Sequence, residues 1–334
     1  MPLSKKPEIS RRGFTSTLLG AAFAGLAGAK AWAQGAYPSR AVRLIVPYPP
    51  GGAADLLART FGQALSEQLG QSVVIENRGG ANGTIGSNVV AKSAPDGYTL
   101  LLDNITFHAI NATLYKTLPF NTLKDFAPVG LVGWVDNVLV VNPNTPATSL
   151  KELIALAKSK PGQLTYASSG AGSTSHLSGV MLNTAAGIDL LHVPYRGGTP
   201  AMTDLLGGVV TLYFAGLSTA LSTIEAGRLR ALAVAGVKRN AALPNVPTMT
   251  EVGLTGFNAS NWYGLMVPTD TPAEIVTRLN AAMVTLLQNS EVRAKMMAQG
   301  YEVTPSAPKE MGDYMQAETT RWAQVVKTSG ASAD

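Results

Sequence analysis

The chain has 334 residues, 46% of them hydrophobic and only 14% charged, and it contains no cysteine. This length allows one large domain or two smaller ones. Without cysteine the chain has no disulfide bond, thiolate nucleophile or cysteine-ligated metal site.

The first residues have the features of an export signal. A basic front is followed by an apolar run over residues 18–29, and Ala31-Trp32-Ala33 has the small-x-small pattern that precedes signal cleavage. A membrane anchor is the alternative, but this run is shorter than the roughly 20 apolar residues that a helix needs to cross the hydrocarbon core. We predict a signal peptide over residues 1–33, cleaved near Ala33, and a periplasmic mature protein.

The export route is indicated only in part. The segment from Ser10 to Phe14, which holds Arg11 and Arg12, is similar to the twin-arginine export motif. Two positions after it depart from that motif, so the sequence leaves the twin-arginine and general secretory routes both open.

The positive charge of the chain belongs to this segment. The whole chain has a net charge of +5, but residues 1–33 hold five basic residues and one acidic residue. The remainder therefore holds 21 basic and 20 acidic residues, a net charge of about +1. Such a balance gives no reason to expect a nucleic acid or an anionic membrane as partner, and we predict no nucleic-acid partner.

Apolar, β-branched runs alternate along the chain with segments of helical period. This pattern is typical of an α/β protein with largely parallel sheets. The predicted strands, in chain order, are residues 42–46, 73–76, 98–103, 138–142, 164–167, 190–194, 209–214, 229–234 and 262–267.

Three helices have recognisable ends. An apolar stripe over residues 57–69 predicts a helix that stops at Gly70. Residues 149–152 and 271–274 each have the spacing of a capping box, and the second has proline at the first helical position.

Two stretches have the character of crossings between lobes, residues 133–137 and residues 253–258. Two crossings imply that the first domain is discontinuous in sequence. We predict a first domain formed by residues 35–136 and 257–334 and a second domain formed by residues 137–256.

The first predicted strand runs into a loop rich in proline and glycine, after which a helix starts at once. Main-chain N–H groups at a helix start are unpaired, and the helix dipole adds partial positive charge, so a carboxylate fits there. The alternative is an ordinary tight turn in which Asp55 is a first-turn acid. The candidate ligand-binding residues of this loop are Tyr48, Gly52, Ala53, Ala54 and Asp55.

A hydroxyl-rich loop follows the strand that ends at residue 167 and precedes another helical stretch. Hydroxyl groups and glycine N–H groups at one strand-to-helix turn favour a second anion site. An enzyme with a serine nucleophile beside His176 is the alternative, but the Gly-x-Ser-x-Gly elbow is absent. The candidate ligand-binding residues here are Ser168, Ser169, Gly172, Ser173 and Thr174.

A third strand-to-helix loop contains Tyr195, Arg196 and Gly197. Its guanidinium group offers a fork of donors for a carboxylate, and its tyrosine ring offers a wall for an apolar ligand body. A surface arginine without a ligand is the ordinary alternative. The spacing of the three histidines is not that of a metal motif, so we predict no bound metal and no cofactor.

Taken in order, these segments resemble the Bug family of solute receptors, the extracytoplasmic binding components of tripartite tricarboxylate transporters. The resemblance covers nearly all of the mature chain. The segments that carry it are residues 37–40, 46–52, 76–78, 94–100, 108–111, 125–126, 193–198, 204–208 and 246–248.

The resemblance implies a two-lobed periplasmic binding protein fold, type II-like, with two crossing strands at the hinge. It implies that a ligand carboxylate is held by backbone groups of residues 52–55 and by the loop over residues 168–174, and it adds His108 as a candidate ligand-binding residue. One departure is that Ala215-Gly216 stands where relatives often have an aspartate and a small polar residue. This difference favours purely anionic or aromatic acids over amino acids.

The sequence therefore predicts a monomeric solute-binding protein, not an enzyme, that closes two lobes around a dicarboxylate or an aromatic acid. Its partners would be the membrane subunits of a tripartite tricarboxylate-type transporter. Two alternatives remain open: a ligand-binding sensor for a two-component histidine kinase, and a periplasmic hydrolase on the same fold.

Overall fold

The computed structural model describes residues 37–332, and the chain from Arg40 onward forms one compact unit. The predicted signal peptide and its cleavage near Ala33 lie outside the described residues. No described helix is both long and apolar enough to span a membrane.

The described chain contains strands that form two sheets. In chain order they are β1 (Val42–Val46), β2 (Val73–Asn77), β3 (Thr99–Asn104), β4 (Phe126–Val135), β5 (Asn137–Val141), β6 (Thr165–Ser168), β7 (Leu191–Pro194), β8 (Leu212–Gly216), β9 (Arg230–Val234), β10 (Asn261–Pro268) and β11 (Tyr301–Val303).

Helices connect most of these strands. They are α1 (Ala53–Leu69), α2 (Thr84–Ala91), α3 (Asn111–Leu114), α4 (Leu150–Ser159), α5 (Thr174–Ala186), α6 (Gly198–Leu206), α7 (Leu217–Glu225), α8 (Ala273–Gln288), α9 (Ser290–Ala298) and α10 (Pro308–Ser329). A short 3₁₀ turn, Ala81–Gly83, precedes α2, and a π-helical turn, Thr106–Ile110, precedes α3.

The first sheet has the strand order β11-β4-β10-β3-β1-β2, and the second has the order β7-β6-β8-β5-β9. β1 is parallel to β2 and β3, and β6 is parallel to β7 and β8. The remaining pairs, which involve β4, β5, β10 and β11, are antiparallel. The sheets are therefore mixed, and the prediction of largely parallel sheets was wrong at the strands nearest the crossings.

The chain passes between the sheets at two places, and Asp136 joins them. β4 in the first sheet is separated from β5 in the second by this residue alone. Its carboxylate accepts hydrogen bonds from Ser260 Oγ at 2.6 Å and from Asn240 Nδ2 at 3.2 Å, both on the return path from β9 to β10. The predicted domain boundaries stay predictions, and they fall between strands that belong to different sheets.

Most local predictions agree with the structure. Each of the nine predicted strands overlaps an observed strand, and the helix α1 ends at Gly70, which has a φ of 66°. Ser149 caps α4 by accepting a hydrogen bond from the main-chain N–H of Glu152. The capping box at residues 271–274 was wrong, because Pro272 is itself the N-cap of α8 and the Thr271 hydroxyl donates to the Pro268 carbonyl instead.

Candidate functional site

Loop 1, residues 47–52, connects β1 to α1. Gly52 is the N-cap of α1 and has no side chain to fill that position. Within the described residues, the main-chain N–H groups of Gly52, Ala53 and Ala54 donate to no other group of the chain. These three unpaired donors at the start of a 17-residue helix are those that the sequence predicted.

The carboxylate of Asp55 stabilises loop 1 from inside. Its Oδ2 accepts hydrogen bonds from the Gly51 N–H and from Arg59 Nε, both at 3.0 Å. Burial favours the protonated form, but these hydrogen bonds outweigh burial and hold the pKa of Asp55 below its ordinary value. The side chain therefore behaves as the first-turn acid of the alternative interpretation, and its direct contact with a ligand stays a prediction.

Tyr48 is anchored on the first sheet. Its hydroxyl donates to Asn104 Oδ1 at 2.8 Å, at the end of β3, and its carbonyl accepts from Asn77 Nδ2 at the end of β2. Loop 1 is thus attached to the carboxyl ends of three neighbouring strands. In open α/β sheets, ligands bind in the crevice outside these strand ends.

Loop 2, residues 169–173, connects β6 to α5, and most of its main-chain N–H groups donate to the loop itself or to the residues that flank it. The Gly170 N–H donates to Ser168 Oγ at 3.2 Å, and the Gly172 N–H donates to His176 Nδ1 at 3.0 Å. The predicted role of the glycine N–H groups as anion donors is therefore wrong for this state of the loop. Among the described residues 169–175, the main-chain N–H groups that remain unpaired are that of Ala171 in the loop and those of Thr174 and Ser175 at the start of α5.

The hydroxyl groups of loop 2 form a connected network. Ser173 is the N-cap of α5: its Oγ accepts from the His176 N–H at 3.3 Å and donates to the Gly170 carbonyl at 2.7 Å. The hydroxyl of Ser175 contacts the hydroxyl of Ser173 at 2.9 Å and that of Ser169 at 3.2 Å. These contacts fix the position of the loop and leave α5 to present its first N–H groups.

Loop 3, residues 195–197, connects β7 to α6. The hydroxyl of Tyr195 donates to Asp204 Oδ2 at 2.6 Å, and the Gly197 N–H donates to the Ser169 carbonyl at 3.2 Å. The side chain of Arg196 is exposed. Loop 3 therefore supports loop 2 through its backbone, and contacts of Tyr195 and Arg196 with a ligand stay predictions.

Loops beside the two sheets are in contact with each other. Asn82, in the 3₁₀ turn beside the first sheet, donates from Nδ2 to the carbonyl of Ala171 in loop 2 at 2.5 Å. A β-carbon placed on Gly51 would lie 3.3 Å from Thr199 Oγ1, and one placed on Gly216 would lie 3.5 Å from the β-carbon of Ala53. The starts of α1, α6 and α7 are thus close together.

Sequence reasoning missed the tyrosine side chains that line this region. The hydroxyl of Tyr301 donates to the Ala53 carbonyl at 2.5 Å, and the ring of Tyr301 packs edge-on against Tyr263 at 6.3 Å. The Tyr213 hydroxyl lies 3.1 Å from the point where a β-carbon on Gly198 would sit. Tyr213 and Tyr263 lie on β8 and β10, which were predicted as strands without a role for their tyrosines, and Tyr301 lies on β11, which was not predicted. Asn82 was missed as well, although the Asn82-Gly83 pair is a turn signal.

His108 lies in the core. Its side chain and that of Asp103 are 0% exposed, with His108 Nδ1 3.1 Å from Asp103 Oδ2. Burial raises the pKa of Asp103, and the rings of Phe107 and Trp262 surround the histidine at 6.1 Å. Neither ring nitrogen of His108 makes a hydrogen bond within the described residues, and a role in ligand binding stays a prediction.

Two cavities lie away from the loops. One, of about 260 Å³, is lined mainly by apolar side chains of α5, α10 and residues 255–257, and the other, of about 550 Å³, is lined by residues 112–123 and Thr319. Neither presents unpaired main-chain donors at a helix start. Among the described residues, no group of three or more histidine, aspartate or glutamate side chains is placed to hold a metal ion.

One serine and one histidine lie as close together as a catalytic nucleophile and its general base. Ser168 Oγ lies 2.7 Å from His192 Nε2. However, Ser168 is fully buried and also donates to the Gly170 carbonyl, while the ring of His192 is stacked on that of His176. A nucleophile needs access to its substrate, so this pair has the environment of a structural contact.

Comparison with known proteins decides the family. The family model described as "Tripartite tricarboxylate transporter family receptor" matches residues 57–331. The chain belongs to this family. It is also 40% identical over 296 residues to protein BugT of Bordetella pertussis, covering 88% of this chain and 91% of BugT. The family is one of solute-binding receptors, not enzymes.

Solved structures share the fold of this receptor. An R. palustris protein solved with adipate has a TM-score of 0.86 and 38% identity, covering 89% of this chain and 99% of that one. The periplasmic binding protein BugD has a TM-score of 0.83 and 35% identity, covering 89% and 99%. MatC from Rhodopseudomonas palustris, with bound malate, has a TM-score of 0.81 and 34% identity, covering 87% and 100%. The two-lobed periplasmic binding protein fold is thereby confirmed.

Proposed function

We propose that this receptor captures a small organic carboxylate in the periplasm, between loop 1 and the start of α5, and delivers it to the membrane subunits of a tripartite tricarboxylate-type transporter. The preferred ligand class is a dicarboxylate or an aromatic acid. We expect the receptor to act as a monomer without a cofactor.

The observation that carries this proposal is that unpaired main-chain donors stand at helix starts beside both sheets, on the two sides of the proposed crevice. On one side are the N–H groups of Gly52, Ala53 and Ala54, and on the other those of Thr174 and Ser175. Helix starts bind anions because their N–H groups point outward and the helix dipole adds positive charge. A carboxylate between them would pair donors that are otherwise left to water.

Two relatives support the ligand class. The solved structures with adipate and with malate each contain a dicarboxylate, and both chains are at least 34% identical to this one. The crevice of this chain has Ala215-Gly216 at the end of β8, where Ala215 is buried and contributes no charge. An amino group on the ligand would find no carboxylate at this position, which favours acids without an amine.

Hinge closure is the expected response to the ligand. A ligand shifts a two-state equilibrium by the difference in its affinity for the two states, and a carboxylate that bridges both sheets binds only the closed form fully. The hydrogen bond from Asn82 to the Ala171 carbonyl supports this expectation, because it joins loops that belong to different sheets.

A thermal-shift screen of adipate, malate and benzoate tests the function. A ligand at about 100 times its dissociation constant adds roughly 2.7 kcal/mol to the folded state, which raises the melting temperature by a few degrees in a chain of this size. We expect at least one of these acids to stabilise the protein and neutral amides of the same carbon skeleton not to do so. Equal effects of acids and amides would contradict the proposal.

A further inference from the structure

Two of the three histidines of the chain are stacked beneath loop 2. The rings of His176, on α5, and His192, on β7, are 4.0 Å apart between centroids and 20° from parallel. Tyr166, the neighbour of His192 in the register of β6 and β7, stacks against His192 at 4.9 Å between ring centroids, and its ring lies 6.4 Å from that of His176. A β-carbon on Gly179 would lie 2.1 Å from the Tyr166 ring, so close packing against α5 fixes the stack.

Each imidazole holds one end of loop 2. His176 Nδ1 accepts the Gly172 N–H at 3.0 Å, and His192 Nε2 contacts the hydroxyl of Ser168 at 2.7 Å. A main-chain N–H is always a donor, so Nδ1 of His176 must be an acceptor and its proton must reside on Nε2. Protonation of Nδ1 would place two N–H groups against each other and break this hydrogen bond.

We propose that the stacked pair of His176 and His192 positions loop 2 for ligand binding, and that acid weakens binding because the Gly172 N–H can donate to His176 only while Nδ1 carries no proton. The inference rests on the proposed function, whose crevice loop 2 borders. It adds a positioning role for two residues and a direction of pH dependence.

The surroundings favour the neutral pair. Burial lowers the pKa of His176, and burial together with the neighbouring imidazole lowers the pKa of His192 to about 4. The titratable groups that face the pair are the two imidazoles themselves and Tyr166, and burial raises the pKa of Tyr166, so that it stays neutral. Two imidazolium rings in face-to-face contact repel, so protonation of one opposes protonation of the other.

The expected change in ligand affinity with pH is opposite to that of a site in which a histidine simply attracts an anion by its charge. A histidine beside an anion ordinarily strengthens anion binding when it becomes protonated, because it gains positive charge. Here the gain in charge is accompanied by loss of the contact that orders Gly172 and the start of α5. Weaker binding in acid therefore distinguishes the positioning role from ordinary charge attraction.

The test compares the wild-type receptor with His176→Asn by calorimetric titration of adipate at pH 7.5, 6.5, 5.5 and 4.5. Asparagine places an acceptor oxygen near the position of Nδ1 and does not titrate. Adipate itself gains protons in this range, but the ratio of the two dissociation constants at one pH cancels that effect. We expect the dissociation constant of the wild type, divided by that of His176→Asn, to be constant above about pH 6.5. This ratio should rise about tenfold by pH 4.5, the factor that corresponds to one ordinary hydrogen bond.

A second variant, His176→Phe, keeps the stacked ring but removes the acceptor, and it should bind adipate about tenfold more weakly than wild type at pH 7.5. Circular dichroism and thermal melting check that both variants fold. A constant ratio across the pH series, a ratio that falls in acid, or wild-type affinity in His176→Phe would overturn the histidine proposal alone. Failure of adipate and the other acids to bind either protein at pH 7.5 would instead contradict the proposed function, and this inference with it.

The tautomer of His176 can be measured by NMR without a ligand. The ¹⁵N imidazole spectrum of the wild-type protein should contain one ring with an unprotonated Nδ1 whose signal disappears in His176→Asn. A spectrum in which the His176 ring carries its proton on Nδ1 at pH 7.5 would overturn the proposal even if adipate binds.

Discussion

The side-chain amide of Asn82 donates a 2.5 Å hydrogen bond to the backbone carbonyl of Ala171. This contact joins the 3₁₀ turn beside the first sheet to loop 2 beside the second. Asn82 and Ala81 both have positive φ, 50° and 46°, a conformation that is uncommon for residues other than glycine. Strained backbone of this kind is found where surrounding contacts hold it, often at ligand sites. We infer that Asn82 helps to hold the closed form.

Replacement of Asn82 by glycine removes this contact without adding strain, because glycine adopts positive φ readily. We expect Asn82→Gly to bind adipate about five- to tenfold more weakly, the loss of one hydrogen bond between the loops. Asn82→Asp is the second variant to compare. Its carboxylate would face the Ala171 carbonyl, and the repulsion between these two acceptors should weaken adipate binding further than Asn82→Gly does. Calorimetric titration measures both, and wild-type affinity in both variants would remove Asn82 from the closing contacts.

Ser173 and Ser149 offer a matched pair of helix caps. Both side chains accept a main-chain N–H at the start of a helix, but only Ser173 lies in loop 2, beside the proposed binding site. We expect Ser173→Ala and Ser149→Ala each to lower the free energy of unfolding by about 1 kcal/mol. Only Ser173→Ala should also weaken ligand binding, because the first turn of α5 would shift. Urea unfolding and calorimetry separate the two effects, and equal binding by both variants would show that the Ser173 hydroxyl does not order the site.

Glu76 makes stability depend on acid pH. Its carboxylate accepts hydrogen bonds from Arg43 at 2.6 and 3.0 Å and from Arg78, and these contacts lower its pKa to about 2. A lowered carboxyl pKa contributes stability that is present above the ordinary value near 4.5 and is lost as pH falls toward 2. We expect Glu76→Gln to be less stable than wild type at pH 6 and the difference to shrink below pH 4. A difference independent of pH would contradict this origin.

Asp136 should show the opposite pH dependence. Burial raises the pKa of this carboxyl, although Ser260 and Asn240 donate to it. A raised carboxyl pKa means that the folded state binds a proton more tightly than the unfolded state, so the residue costs stability as pH rises above its ordinary value. We expect the free energy of unfolding of Asp136→Asn, relative to wild type, to increase between pH 4 and pH 7. A relative stability that decreases over this range would show that the charged form is the favoured one.

The sequence was sufficient for nine of the eleven described strands and for the position of the three loops. Alternation of β-branched runs with helical stripes marks each element locally, so β1, β6 and β7 and the loops that follow them were predicted. β4 and β11 were missed. β4 contains Pro128, Gly130 and Gly133, which interrupt a strand pattern, and β11 has only three residues. β4 pairs with β10 on one side and with β11 on the other, and this pairing, which is not local in sequence, determines both missed strands.

The loops of the candidate site were located from the sequence, but which of their groups are free to bind depends on contacts between distant residues. The sequence places glycine and hydroxyl groups in loop 2, but it does not show that the Gly172 N–H is taken by His176 or that Ser173 caps α5. The stacking of His192 on His176 and the hydrogen bond from Tyr301 to the Ala53 carbonyl likewise depend on how distant elements are arranged. Composition identifies donors, whereas the fold determines which of them remain unpaired.

The central claim is that carboxylate oxygens bind between loop 1 and the start of α5. A crystal structure of the receptor grown with adipate tests it directly. We expect carboxylate oxygen within about 3 Å of the N–H groups of Ala53 or Ala54 and of Thr174 or Ser175, the ordinary hydrogen-bond distance. Adipate bound elsewhere, with these N–H groups paired to water or to the chain itself, would contradict the account.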